Sequence, residues 1–112
     1  MQAELRIGWT TVESREVAEK LAHELVGAGL AACVQIESLV ASVYRWEGEV
    51  RQDPEWRLMV KFSADKTDRL TAFIGKQHPY DCPQWIVVRP ESVSSKYLKW
   101  ATGCDTPESS TQ

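Results

Sequence analysis

The feature of the sequence that most constrains the fold is a long strand-like region in the middle of the chain, residues 30–62. Residues 30–47 would extend about 60 Å as one strand, whereas a domain of this length is about 30 to 35 Å across. The region therefore cannot lie entirely over the core of its own chain. Either the strand bends near Glu37 and Ser38, or a hairpin of residues 39–62 projects from the domain. In the second case the side chains exposed to water are Val40, Tyr44, Trp46 and Trp56.

A projecting hairpin predicts self-association. An isolated two-stranded ribbon is only marginally stable in water, and its free edges favour pairing with another chain. A homo-oligomer would stabilise the ribbon and pair its free edges. The alternative left open here is a twisted hairpin that folds back onto its own sheet.

The remaining segments give an alternating order of strands and helices. The strands are predicted at residues 3–11, 30–36 continued by 39–47, 56–62 and 84–89, with a hairpin connection at residues 47–54. The helices are predicted from an N-cap at Ser14 to Gly27 or Gly29, from about Asp65 to His78 and Pro79, and after Ser94 or Ser95. The apolar stripe of the first helix comprises Val17, Ala18, Leu21, Ala22, Leu25 and Val26. The order β-α-β-β-α-β predicts an α+β, ferredoxin-like antiparallel sheet with both helices on one face, plus a short C-terminal helix.

The composition is typical of a single globular domain, which we assign to residues 1–102. Residues 103–112 are predicted to form a polar, disordered tail. The chain has 112 residues, 43% of them hydrophobic and 26% charged, as folded domains of this size do. A net charge of −3 without a basic block predicts binding neither to nucleic acid nor to an anionic membrane. No long apolar run or signal sequence is found, so a cytoplasmic location is expected. Cys33, Cys82 and Cys104 lack zinc-site spacing and are expected to be reduced thiols.

The segment from His78 to Pro83 contains four different chemically functional side chains within five residues. An imidazole, a phenol, a carboxylate and a thiol follow one another at His78, Tyr80, Asp81 and Cys82. Three of these side chains, those of His78, Asp81 and Cys82, are candidates for a metal site. A structural alternative is that His78 bonds only to backbone carbonyl groups. Because no catalytic motif is found, we expect no enzyme activity, and acid-base or thiol chemistry at His78 and Cys82 is the lesser alternative.

Several motifs, taken in order and spacing, carry a family resemblance. They are Thr10-Thr11, Leu30-Ala31-Ala32-Cys33-Val34, Ser42-x-Tyr44-x-Trp46-Glu47-Gly48, Lys61, His78-Pro79-Tyr80-x-x-Pro83 and Tyr97-Leu98-x-Trp100. Over about residues 5 to 101, the chain resembles the CutA divalent-cation-tolerance family. The resemblance implies a ferredoxin-like protomer, a homotrimer whose hairpins pair between subunits, and kinship of architecture with the P-II signalling proteins. It also implies a cytoplasmic protein linked to copper and divalent-metal tolerance, with no established reaction.

The chain departs from the family at the positions of a copper site. Where some members carry a thiol, a second imidazole and an acidic residue, this sequence has Thr10, Gln77 and Gln84. That metal site therefore cannot be transferred to this chain, although Cys82 adds a soft ligand near His78. We therefore expect that the protein requires no cofactor. The resemblance still allows it to bind a divalent metal ion such as copper.

The resulting hypothesis is a non-enzymatic homotrimer that binds a metal ion or a small ligand in clefts between its subunits. Clefts of this kind are common ligand sites, and the sequence concentrates ionisable and aromatic groups outside its apolar stripes. The residues expected to line the cleft are Tyr44, Trp46, Lys61, His78, Tyr80 and Asp81. A trimeric scaffold that anchors another protein is the alternative from a different functional class.

Overall fold

The computed structural model describes residues 3–103 as one four-stranded antiparallel sheet with three α-helices. The elements are β1 (Leu5–Val12), α1 (Arg15–Gly27), β2 (Cys33–Trp46), β3 (Glu49–Ser63), α2 (Thr67–Gln77), β4 (Ile86–Val88) and α3 (Ser95–Thr102). The strands lie in the order β2-β3-β1-β4. This arrangement confirms the predicted ferredoxin-like α+β fold and its short C-terminal helix. Cys104 and the predicted tail from residue 104 onward lie outside the described residues.

The core lies between one face of the sheet and the helices α1 and α2. Leu58, Val60 and Phe62 alternate along β3 and are fully buried on that face, as the two-residue period predicts. Helix α1 contributes the buried Leu25, and α2 contributes Leu70 and Ile74 to the same cluster. We call the opposite side of the sheet the outer face.

Helix α1 begins and ends where the sequence places its signals. The Oγ of Ser14 accepts a hydrogen bond from the backbone N of Val17 at 3.2 Å, which caps the first turn. The helix ends at Gly27, and Gly29 has a positive φ of 73°. The Nζ of Lys66 donates to the carbonyl oxygen of Gly29 at 2.6 Å and fixes this turn against the start of α2.

The hairpin of β2 and β3 projects beyond the core. The molecule measures 48 × 28 × 24 Å, and its radius of gyration of 15.0 Å exceeds the value of about 13 Å typical of compact chains of this length. Strand β2 also carries a register shift between Glu37 and Val40. The hairpin therefore extends outward, as one alternative predicted, and β2 is irregular at the point where the other alternative placed a bend.

Three details of the sequence prediction are wrong in this region. The connection predicted at residues 47–54 is a two-residue turn, Glu47 and Gly48, with φ of 50° and 81°. Such a turn matches the twist of adjacent antiparallel strands, so residues 49–54 belong to β3. Strand β2 begins at Cys33 rather than at residue 30. The side chain of Trp56 is half-buried against the core, where the guanidinium of Arg15 lies 5.8 Å from its ring, instead of being exposed.

Smaller differences concern the second half of the chain. A 3₁₀ turn at Ala64–Lys66 precedes α2, which begins at Thr67 instead of Asp65. Strand β4 is three residues long, shorter than the six predicted at residues 84–89. Helix α3 packs on the outer face, where the Nζ of Lys61 lies 5.5 Å from the centre of the Tyr97 ring. No helix among residues 3–103 is long and apolar enough to span a membrane.

Candidate functional site

One face of the projecting hairpin carries alternating aromatic and charged side chains. Ser42, Tyr44 and Trp46 lie on the same side of β2 because side chains alternate between faces along a strand. Their register partners on β3 are Asp53, Arg51 and Glu49. The Tyr44 hydroxyl donates to the Asp53 carboxylate at 2.5 Å. This cross-strand hydrogen bond raises the pKa of the Tyr44 phenol, which therefore stays neutral.

The loop after α2 folds against the base of this hairpin, and His78 anchors it. The Nε2 of His78 lies 2.8 Å from the carbonyl oxygen of Thr11, and its Nδ1 accepts a hydrogen bond from the backbone N of Tyr80 at 3.1 Å. These partners require a neutral imidazole that carries its proton on Nε2. Burial lowers the pKa of His78, which favours the same neutral form. His78 is 8% exposed, and both of its ring nitrogens are engaged within the chain.

Tyr80 connects the loop to the hairpin. Its hydroxyl donates to the carboxylate of Glu55 at 2.9 Å. Burial and the adjacent Glu55 carboxylate raise the pKa of the Tyr80 phenol well above its ordinary value. The phenol is therefore a neutral hydrogen-bond donor, and the carboxylates of Asp53 and Glu55 each accept a hydrogen bond from a neutral tyrosine.

The hairpin face and the loop border an open cavity of about 840 Å³, which we call the hairpin groove. Its aromatic walls are Tyr44, Trp46 and Tyr80, and its charged lining comprises the acidic residues Glu13, Asp53, Glu55 and Asp81 together with Arg51. The volume lies within the range of about 300 to 1,000 Å³ typical of small-molecule sites. The groove is thus large enough for an organic ligand and is strongly acidic.

The structure brings together most, but not all, of the residues predicted for the site. Tyr44, Trp46, Tyr80 and Asp81 line the hairpin groove, as does Cys82, one of the metal candidates. His78 lies behind the groove wall and positions Tyr80 through the backbone. Lys61 is ten residues from Arg51 along β3, or about 33 Å at the rise of an extended strand, and lies beneath α3. Within one chain, Lys61 therefore does not join the other residues.

Four charged residues of the groove were missed by the sequence analysis: Glu13, Arg51, Asp53 and Glu55. Three of them fall in the segment that was assigned to a hairpin connection or to its border. A signal was present, because Arg51, Asp53 and Glu55 alternate with the period of a strand and continue the pattern of residues 56–62.

Comparison with known proteins identifies the family. A family model described as CutA1 divalent ion tolerance protein matches residues 6–104. The chain belongs to this family. The resemblance predicted from the sequence is thereby confirmed.

Individual CutA relatives agree in sequence and in fold. The chloroplastic CutA of Arabidopsis thaliana is 40% identical over 92 residues, which cover 82% of this chain and 50% of that protein. The divalent-cation tolerance protein CutA of Thermus thermophilus is 39% identical, over 80% of this chain and 87% of that protein. The chain thus spans about half the length of its plant relative but most of the bacterial one. The structure of CutA from Synechococcus elongatus PCC7942 superposes with a TM-score of 0.85 at 37% identity, covering 89% of this chain and 88% of that chain. Another structure of that protein is a complex with a Bis-Tris molecule.

The name of the CutA family implies a divalent cation, but the described side chains of one subunit do not form a complete site for a resident metal ion. Residues 3–103 contain no group of three His, Cys, Asp or Glu side chains placed to hold one. Asp81 and Cys82 are exposed neighbours on the loop, whereas the nitrogens of His78 are already engaged. Thr10, at a family metal position, is fully buried on the core side of β1. Of the three predicted metal candidates, Asp81 and Cys82 therefore keep side-chain donor atoms that no described residue engages, whereas His78 does not.

Replacement of His78 is expected to change the pH dependence of stability. Because burial places the folded-state pKa below the ordinary 6.5, the unfolded chain takes up a proton first as the pH falls. The free energy of unfolding should therefore decrease as the pH falls from about 6.5 towards the folded-state pKa. In His78→Gln this component of the decrease should disappear. The measurement is urea unfolding between about pH 7.5 and 5.5, a range chosen to lie above most carboxylate titrations.

His23 provides the matched control for this experiment. It is the other histidine of the chain and lies exposed on α1. His23→Gln removes an imidazole without touching the loop, so it should retain the pH response of the wild type. Equal pH profiles for the wild type and His78→Gln would contradict a buried, neutral His78.

Proposed function

We propose that the chain is a non-enzymatic, homotrimeric binding protein that acts in divalent-cation tolerance, including tolerance of copper, and takes a small ligand or metal ion in the hairpin groove. The observation that carries the proposal is the groove itself, a cavity of ligand size in which aromatic and carboxylate side chains converge. The hydroxyls of Tyr44 and Tyr80 hold Asp53 and Glu55 in fixed positions, so the groove is organised before any ligand enters.

The proposed trimer is supported by the apolar surface that one chain leaves uncovered. On the hairpin, Val43 is 64% exposed and Val50 is 67% exposed, and Ile86 on the short edge strand β4 is also exposed. Uncovered apolar side chains of this kind favour a partner surface. Three copies are proposed because the family resemblance implies that number.

The trimer predicts a particle mass of about 38 kDa, three times the 12.7 kDa of one chain. Sedimentation equilibrium at micromolar concentration measures it. The double variant Val43→Glu, Val50→Glu is expected to shift the mass towards that of one chain, because it places charges on the covered hairpin surface. The matched control is Val26→Glu on α1, at a position that is also exposed, which should leave the mass unchanged. A wild-type particle of 12.7 kDa would exclude the oligomer.

For the ligand, the proposed contacts are Tyr44, Trp46, Tyr80 and Asp81, with His78 positioning Tyr80. Lys61 could contribute only from a neighbouring subunit. The Bis-Tris complex of the Synechococcus protein supports the proposal because a relative with this fold accommodates a small organic molecule. We also propose a cytoplasmic location for this protein. The Arabidopsis relative differs in this respect, since its name describes it as chloroplastic.

Native mass spectrometry of the protein purified from its own cells tests the ligand. The expected spectrum shows the oligomer with an additional mass that is lost on unfolding. Titration calorimetry with copper, zinc and small organic molecules is the complementary measurement. An oligomer without added mass, together with no heat from any of these titrants, would leave the groove without a binding role and favour the scaffold alternative.

A further inference from the structure

We propose that the hairpin groove selects an organic cation of the substituted-ammonium class, in preference to an anion or a bare metal ion. The inference rests on the proposed function of the groove as a ligand site and narrows the chemistry of its ligand. It combines the charge of the groove, its aromatic walls and the spacing of its carboxylates.

The first step concerns charge. Four carboxylates and one guanidinium line the groove, so its formal charge is −3, as large as that of the whole chain. The guanidinium, that of Arg51, lies 3.6 Å from a carboxylate oxygen of Glu49 and is partly neutralised. The tyrosine hydroxyls that hold Asp53 and Glu55 are neutral donors and leave this charge in place. The groove therefore repels anionic metabolites and attracts cations.

The second step concerns the walls. Tyr44 and Trp46 lie on one face of β2, and Tyr80 approaches from the loop. The face of an aromatic ring attracts a cation through its quadrupole, and recognition of substituted ammonium groups by several such rings is a recurrent arrangement. A strongly hydrated metal ion gains little from aromatic walls, whereas an alkylated ammonium group places its methyl groups against them.

The third step concerns spacing. A divalent metal ion needs oxygen ligands that converge to about 2.0 to 2.6 Å from one point. Asp53 and Glu55 are two residues apart on one strand, about 7 Å along β3. Each is also tied to a different tyrosine. Among residues 3–103 no group of three His, Cys, Asp or Glu side chains is placed to hold one metal ion, so the separately held carboxylates better suit a cation whose charge is spread over a larger volume.

The test is titration calorimetry of the full chain with choline and with its neutral isostere 3,3-dimethylbutan-1-ol. The two molecules have almost the same shape and differ in charge. We expect saturable binding of choline and at least about tenfold weaker binding of the isostere, since a cation between aromatic faces and carboxylates gains both interactions. Succinate, as an anionic probe, should give no binding, and Zn²⁺ should not compete with choline.

Matched charge variants locate the site. The double variant Glu13→Gln, Asp81→Asn removes two groove carboxylates that are exposed and take no part in the hydrogen bonds of Tyr44 and Tyr80 to the hairpin. Glu24→Gln, Glu91→Gln removes two exposed carboxylates elsewhere and gives the same net charge. We expect choline binding to weaken about tenfold in the first variant, because each nearby carboxylate contributes a factor of up to about five, and to stay unchanged in the second. The oligomeric mass of both variants should equal that of the wild type.

The outcomes separate this inference from the proposed function. Suppose that succinate, Zn²⁺ or the neutral isostere binds as tightly as choline, and that only the groove variant weakens the binding of that probe. The groove would then be a ligand site, but selection of an organic cation would be refuted. If no probe binds, both the inference and the binding role fail. Equal weakening of choline binding by the two double variants would place the cation outside the groove and overturn the inference.

Discussion

Leu25→Ala is expected to lower the free energy of unfolding by about 2 to 5 kcal/mol. Leu25 lies on the inner stripe of α1 and is 0% exposed within the main core cluster. Its truncation removes buried methyl groups and leaves a cavity that neighbouring side chains fill only in part. Since domains are stabilised by about 5 to 15 kcal/mol in total, the loss should be visible as a large shift of the urea midpoint.

The adjacent residue supplies the control. Val26 follows Leu25 on the same helix turn but is 45% exposed. Val26→Ala introduces the same side chain, with its favourable helix propensity, and should change the free energy of unfolding by no more than about 0.5 kcal/mol. Both variants should be measured at one protein concentration, because the stability of an oligomer depends on concentration. Equal losses would contradict the assignment of the buried face of α1.

Leu25 and Val26 also show what helical periodicity can and cannot predict about burial. The predicted stripe of α1 includes both residues, and the structure buries Leu25 but not Val26. Periodicity identifies the direction of the core, but the end of the buried stripe depends on where the sheet stops. Strand register and the length of the helix relative to the sheet determine that limit, and neither can be obtained from the residues of the helix alone.

The hairpin illustrates a different limit of prediction. Gly48, Asp53 and Pro54 are residues typical of turns, and together they predict a long connection. The structure uses only Glu47 and Gly48 for the turn. Pro54 is accommodated within β3 because β1 pairs with β3 only as far as Trp56, so Pro54 lies beyond that neighbour. Turn chemistry therefore predicts that the chain reverses, whereas tertiary pairing determines how many residues take part.

The candidate site was predicted only in part, because the hairpin connection was predicted to be longer than it is. Tyr44, Trp46, Tyr80 and Asp81 stand out in the sequence as aromatic or ionisable groups outside apolar stripes, and the fold gathers them. Asp53 and Glu55 escaped notice because they were assigned to a connection. His78 could have been a metal ligand or a structural group, and only the positions of Thr11 and Tyr80 around its ring show that its nitrogens are engaged.

Gly8→Ala is expected to lower the free energy of unfolding by about 1 to 3 kcal/mol, although it adds a single methyl group. The ring of Trp85 lies directly over Gly8, and a Cβ there would be 2.7 Å from its Cζ3 and would overlap Cη2. The indole cannot easily move away, because it stacks on Phe62 with ring centres 6.1 Å apart and donates from Nε1 to the Oγ1 of Thr71 at 3.0 Å. The added methyl group must therefore displace Trp85 from these contacts or bend β1.

A second glycine gives the control with the opposite sign. Gly75 lies on the exposed side of α2, and no atom is found within 4 Å of a Cβ built there. Gly75→Ala should raise the free energy of unfolding by about 0.5 to 1 kcal/mol, because alanine favours the helix over the unfolded chain. Urea unfolding at a single protein concentration measures both changes, and near-ultraviolet circular dichroism should report displacement of Trp85 in the Gly8 variant alone. A stabilising effect at Gly8 would mean that the indole does not occupy the space above β1, and the packing of Trp85 against Phe62 would have to be revised.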